Sequence, residues 1–274
     1  MTRTFELGRA LFAAAIAGLG VQCLVRGNAV PALEPVLATS GHSVIGWITG
    51  VLLIGAAIAM LSRHATSYGA AIIAAVLLLW IALLHVPALI ASPNKGGVWT
   101  GAFESLALSG AALLLWGLTA HASGSDRARS SFAARATTIG RLMYGISMPV
   151  FGILHFLFIP YIVFVTPSWI PAHVFFAYAT GVAHVASGLS LVTGVLSRIA
   201  AYCTAAMFGT WVLIVHAPRV FRSSHIPSEW TSMLIALGMC GGALLIASAL
   251  ANISSAASPV AESSRFAPGA TITS

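Results

Sequence analysis

The chain repeats itself at a spacing of about 131 residues. Trp80-Ile-Ala-Leu-Leu-His85-Val-Pro87 returns as Trp211-Val-Leu-Ile-Val-His216-Ala-Pro218, and Leu7-Gly8-Arg9 returns as Ile139-Gly140-Arg141. Gly20 pairs with Gly152, Pro35 with Pro167, Ser62-Arg63 with Ser197-Arg198 and Trp99-Thr100 with Trp230-Thr231. Gly110-Ala-Ala-Leu-Leu114 pairs with Gly241-Gly-Ala-Leu-Leu245, and one gap of about four residues, between Gly50/Gly181 and Arg63/Arg198, keeps the two halves in step. Self-similarity at a fixed period sets the architecture before any local pattern does. The chain is a duplicated unit.

What each unit folds into follows from its solvent. Only 7% of residues are charged and 58% are apolar, against roughly 25% charged in soluble domains. Too little polar surface exists to clothe a water-soluble globule. Apolar runs of about 20 residues span a bilayer core roughly 30 Å thick, so this is an integral membrane protein. The net charge of +7 does not imply nucleic acid, because the basic residues stand singly between apolar runs, without a patch or interleaved aromatics. Cys23, Cys203 and Cys240 lie in apolar stretches without CxxC spacing and read as small hydrophobes.

The pattern predicts eight spans, at about 8–26, 43–61, 68–90, 98–120, 139–160, 173–196, 199–218 and 229–252. Arg3 and Arg9 before an apolar core resemble a signal peptide, but the counterpart starting at Ile139 lies mid-chain, so the first span is read as a retained helix. Residues 7–120 form one four-helix unit and 139–252 the other. Segment 121–138, Ser/Arg-rich and without an apolar face, reads as a cytoplasmic linker, and 253–274 as a disordered tail. With the N-terminus inside, Arg3, Arg9, Arg63, Arg127, Arg129, Arg135, Arg141, Arg198 and Arg265 fall on one side, and Arg26, Lys95, Arg219 and Arg222 on the other. The bias places both termini in the cytoplasm. Loops 27–42 and 161–172 contain prolines and apolar residues, as in Pro167-Ser-Trp169-Ile-Pro171, and read as interfacial or re-entrant caps on the outer face.

Ionisable groups inside a membrane are costly and therefore functional candidates. The C-terminal unit has His155, His184 and His216 on three helices. Arg141, Tyr144, Met148, Gly152 and His155 share one helical stripe, and His173, Ala177, Thr180, His184 and Ser187 another. Pro218 follows His216 and is expected to break or kink that helix. At 1.5 Å per residue, His155 and His216 fall in the outer third and can meet, while His184 lies roughly 17 Å below His173. In the N-terminal unit Cys23 replaces His155, Leu53 falls near His184, and only His85 is retained, opposite His216. Glu104 aligns with Ile235 and is expected to pair with His85, a proton-handling or headgroup-binding arrangement.

Plainer readings compete at each position. His85 and His216 can bond carbonyls freed above a proline. His42 and His173 sit at helix starts, and His64, His121 and His225 in loops. Trp80, Trp99, Trp211 and Trp230 suit interface anchoring, and spacings such as Gly181…Gly188 suit close helix packing. Three imidazoles also leave zinc, copper or haem iron open, although no HxxxH or ExxH spacing puts two ligands on one helix face.

The C-terminal unit resembles the DoxX family of four-helix bacterial membrane proteins. The resemblance rests on Ile139-Gly-Arg141, Phe151-Gly152-Ile-Leu-His155-Phe156, Pro167-Ser-Trp169-Ile-Pro171, Gly181-Val-Ala-His184-Val-Ala-Ser-Gly188, Ser197-Arg198-Ile-Ala-Ala and His216-Ala-Pro218-Arg219. It covers residues 139–250, with 7–120 as a more degenerate copy. It implies a four-helix transmembrane unit, in some members the membrane subunit of thiosulfate:quinone oxidoreductase. Two departures stand out: two units are fused here, and His184 occupies a place where many members have glutamate, so no carboxylate role carries over. The first unit lacks the Trp-Ile-Pro motif and reads as a structural partner.

Together these readings give an all-α membrane protein, eight transmembrane helices in two tandem four-helix bundles, N-in and C-in, in a bacterial cytoplasmic membrane. The functional expectation is a quinone-interacting component of an oxidoreductase. His155 and His216 would bind the headgroup, helped by Tyr144 and Arg219, with His184 as proton relay and a soluble redox partner as electron source. A small-molecule transporter or a scaffold for a soluble partner is the non-enzymatic alternative.

Overall fold

A computed structural model describes residues 2–35, 44–122 and 127–256. All regular structure among them is helical: α1 (Arg3–Arg26), α2 (Val44–Leu61), α3 (Thr66–Trp80), α4 (Val86–Ala91), α5 (Gly96–Ala122), α6 (Arg127–Leu157), α7 (Ile159–Val165), α8 (His173–Thr193), α9 (Ser197–Trp211), α10 (Ala217–Arg222) and α11 (Pro227–Ala256). Eight helical spans are long and apolar enough to cross a membrane. Each matches one of the eight apolar runs. His42 and the tail beyond residue 256 lie outside the described residues.

Three boundaries differ from the sequence expectation. Most of the expected linker is helix, because α6 begins at Arg127. That stretch has a packing face after all, made of small residues: Ala133 and Ala136 are buried, and a side chain on Gly117 would meet the Ala133 carbonyl at 2.6 Å. Similarly, α11 runs on to Ala256, into the expected tail. The third difference is at the prolines. Neither Pro87 nor Pro218 ends its helix, and the seventh span continues to Arg222. In both units a π turn, Ile81–His85 and Val212–His216, precedes the proline. Its N–H groups reach back five residues, from Val86 to the Ile81 carbonyl and from Ala217 to that of Val212. A proline normally clashes with the carbonyl four residues back and leaves it unbonded; the wider turn relieves both problems and lets the helix proceed.

The units interlock. Within each, the first span packs on the second, the second on the third and the third on the fourth. The first span then packs on the last span of the other unit: α1 on α11 and α6 on α5, with α5 and α11 touching at the centre. The eight spans therefore form one closed ring with pseudo-two-fold symmetry, in which each four-helix unit is completed by its neighbour.

Glycines repeated between the halves mark these crossings. A Cβ on Gly8 would lie 2.9 Å from the Gly241 carbonyl, and one on Gly140 would lie 2.4 Å from that of Gly110. Gly20 meets Gly50, and Gly152 meets Gly181, in the same way. Only a residue without a side chain permits such backbone contact, the usual means of close helix packing in lipid.

Candidate functional site

The symmetry fails at one place. Beside the histidines of the C-terminal unit, and lined by residues of both units, lies a cavity of about 1290 Å³, large by the roughly 300–1000 Å³ of ordinary ligand pockets. It reaches from Arg26 and Arg219, on the side the charge count assigns to the exterior, down to His184 and Met239. Small residues create the room: Gly97, Gly101, Ala177, Thr180, Ser232 and Ala236 all line it. The equivalents of the histidine wall in the N-terminal unit are solid core. Cys23 stands for His155, Leu53 for His184 and Leu77 for Phe208, each at most 1% exposed.

His155, His184 and His216 all line this cavity. The closest pair is His155 and His184, with ring centroids 5.1 Å apart, rather than the expected His155 and His216. Trp211 joins them, stacked on His155 at 5.8 Å and edge-on to His184 at 5.4 Å. Phe151 and Phe208 close the aromatic wall around His184. Trp211 thus lines the cavity beside the two imidazoles; its place one π turn before His216 in the repeat was the signal available. Trp99 and Trp230 do sit at helix starts, each donating its indole N–H to a loop carbonyl, Pro93 and Ser224 respectively.

The hydrogen bonds fix what these imidazoles offer. His155 Nδ1 lies 2.8 Å from the Phe151 carbonyl, which can only accept, so Nδ1 carries the hydrogen and Nε2 is left as an acceptor. The Nδ1 atoms of His184 and His216 are buried without a hydrogen-bond partner. Such a group is costly in a protein interior. Among the described residues, no group of three or more His, Cys, Asp or Glu side chains is arranged to hold a metal ion.

Glu104 also lines the cavity, and among the described residues no hydrogen bond reaches its carboxyl group. It does not pair with His85. Neighbouring residues on a helix point about 100° apart, and it is Ser105 that faces His85, Oγ to Nε2 at 3.1 Å. Tyr144 is not at the site either. It is fully buried and donates its hydroxyl to the Met239 carbonyl at 2.8 Å, tying α6 to α11. Arg219 is on the cavity rim, but Glu229 holds its guanidinium through two hydrogen bonds of 2.7 Å. That acidic partner went unnoticed in the sequence because ten residues and a turn separate the two.

His85 instead belongs to a closed counterpart of the site. Its Nε2 lies 3.1 Å from the main-chain carbonyl of Leu33. Gly27, in the left-handed conformation at φ 60°, ends α1 and turns the chain inward, a geometry glycine adopts without strain. Ala29, Val30, Leu33 and Glu34 are then at most 1% exposed. Thr49 donates to Glu34 Oε1, while Oε2 has no partner. Burial pushes the Glu34 carboxyl up to about 7, the Thr49 hydrogen bond opposing that rise. In the C-terminal unit the corresponding chain forms α7, which walls the cavity with Tyr161, Ile162 and Val165 and leaves Tyr161 and Phe164 largely exposed.

No family model, no curated protein and no solved structure matches this chain.

Proposed function

We propose that this membrane protein is of the DoxX type, lies in a bacterial cytoplasmic membrane and binds a quinone headgroup in the histidine-lined cavity, as the membrane component of an oxidoreductase. The observation that carries this reading is the cavity itself, where three imidazoles and the Glu104 carboxyl stand on walls that also carry Phe151, Phe208, Trp211 and several apolar side chains. A quinone ring needs apolar walls for its body and hydrogen-bonding groups for its two oxygens. His155 Nε2 would accept from a quinol hydroxyl, and His184 and His216 would exchange hydrogen bonds with the ring oxygens. Trp211 and Phe208 would flank the ring. Quinone bound there would exchange two electrons and two protons, with a soluble partner as electron source.

The test is quinone extraction and quantification from protein purified in mild detergent, with optical spectrum and metal analysis alongside. Near-stoichiometric quinone, lost in a still-folded His155→Ala/His184→Ala/His216→Ala variant, supports the reading. Wild-type protein that binds no added quinone defeats it.

A second reading, carriage of a small molecule, draws on the ring architecture. The cavity is bounded by both repeats, since Arg26, Thr100 and Glu104 of the first unit line it together with the histidines of the second, and sites between repeats are common in transporters. Solute flux into proteoliposomes without redox chemistry would favour it.

A further inference from the structure

His85 and His216 occupy the same position of the same π turn in the two units, yet their surroundings differ completely. His85 is 1% exposed and bonded to Leu33 and Ser105. His216 borders the cavity, its Nδ1 is unpartnered, and the counterpart of Ser105 is Ala236, which supplies no hydroxyl. The chain that fills the N-terminal position is the inward-turned segment after Gly27. Its counterpart after Leu157 has no glycine to turn it, and forms α7, whose Tyr161, Ile162 and Val165 line the cavity instead of filling it. The cavity therefore lies where the second unit lacks the plug that the first unit carries.

We infer that residues 29–34 occupy in the N-terminal unit the place that the ligand takes in the C-terminal unit, and that the ligand offers His216 a carbonyl oxygen, as Leu33 does to His85. The Leu33 carbonyl can only accept, so His85 Nε2 carries the hydrogen. Nδ1 of His216 is buried, which leaves Nε2 as its atom for a ligand. Beside Leu33 the plug presents apolar Ala29 and Val30, and its one carboxyl, Glu34, is buried and bonded to Thr49. The matching ligand class is a compact apolar ring or chain bearing a carbonyl, as an oxidised quinone does, and an inorganic anion does not fit it. The duplicated chain has one open site, and the other is stoppered by its own main chain.

This inference rests on the quinone reading, and one titration separates the two. A short-chain ubiquinone is added to the full chain in detergent, with binding followed by calorimetry and by quenching of tryptophan fluorescence. The expected results are one equivalent per chain, an affinity reduced about tenfold in His216→Leu, the scale of one lost hydrogen bond, and no change in His85→Leu. Replacing Ala29, Val30, Leu33 and Glu34, the plug residues that do not border the open cavity, with glycine and serine should create a second equivalent. Two equivalents in the wild type, or loss of affinity in His85→Leu but not in His216→Leu, overturns the inference and leaves quinone binding intact. A folded plug variant that still binds one equivalent also overturns it. No binding to the wild type sinks the underlying reading instead.

Discussion

His155 on α6 and His184 on α8 stand with ring centroids 5.1 Å apart, and only one of them has a hydrogen-bond partner in the protein for its Nδ1. His184 is buried among Phe151, Phe208 and Trp211, surroundings that suit a hydrocarbon better than an imidazole. A buried unsatisfied polar group costs about 1–3 kcal/mol. His184→Phe should therefore leave the melting temperature in detergent unchanged or raise it, while lowering quinone affinity at least about tenfold. Parallel melting and binding curves check this; a strongly destabilised variant would mean that the imidazole serves the fold.

The glycine crossings make a separate prediction about stability. Gly140→Ala places a methyl group 2.4 Å from the Gly110 carbonyl, so α5 and α6 must separate. Overpacking of this kind costs about 1–3 kcal/mol. Gly55→Ala, where nothing lies within 4 Å, should be neutral or slightly stabilising because alanine is the better helix former. Thermal unfolding of both variants in one detergent makes the comparison.

Those glycines were legible because the repeat prints each crossing twice. Gly8 and Gly140, or Gly110 and Gly241, mark symmetry-related contacts, and eight apolar runs announced eight spans. What escaped sequence reading was lateral and rotational. Helical spacing put Tyr144 and His155 on one stripe, but 11 residues separate them by about 16 Å along the axis, and Tyr144 meets α11 instead of the cavity. Glu104 and Ser105 differ by one residue, and that step decides which of them faces His85. The inward turn of residues 29–34 rested on a single residue, Gly27, whose φ of 60° no periodicity encodes.

Glu34 makes stability depend on pH. Its carboxyl is raised from an ordinary 4.5 to about 7, chiefly by burial, so the folded chain holds the proton more tightly than the unfolded one. Stability from this group falls as pH rises from about 4.5 to about 7 and is constant outside that window. The full difference is roughly 3 kcal/mol at about 1.4 kcal/mol per pH unit. Thr49 is its hydrogen-bond partner and the Cys23 thiol its titratable neighbour. Glu34→Gln should melt with the wild type at pH 4.5 and above it at pH 8. A difference that does not change with pH would mean that the carboxyl does not titrate in this range.

Tyr144 and Arg219 separate structural from ligand-binding roles. Tyr144→Phe removes one buried hydrogen bond to the Met239 carbonyl, which keeps its place in the α11 ladder. It should cost about 1 kcal/mol of stability without altering quinone affinity, because Tyr144 does not border the cavity. Glu229→Gln leaves the Arg219 side chain on the cavity rim without its ion-pair partner. A guanidinium released from the fork gains freedom to bond a ligand oxygen at the rim, so the variant should bind an oxygen-rich quinone as tightly as wild type or more tightly. Its melting temperature should fall only slightly, since partly exposed ion pairs contribute about 1 kcal/mol or less. Loss of binding in Glu229→Gln would show instead that the fork holds α10 and α11 in the geometry the cavity needs.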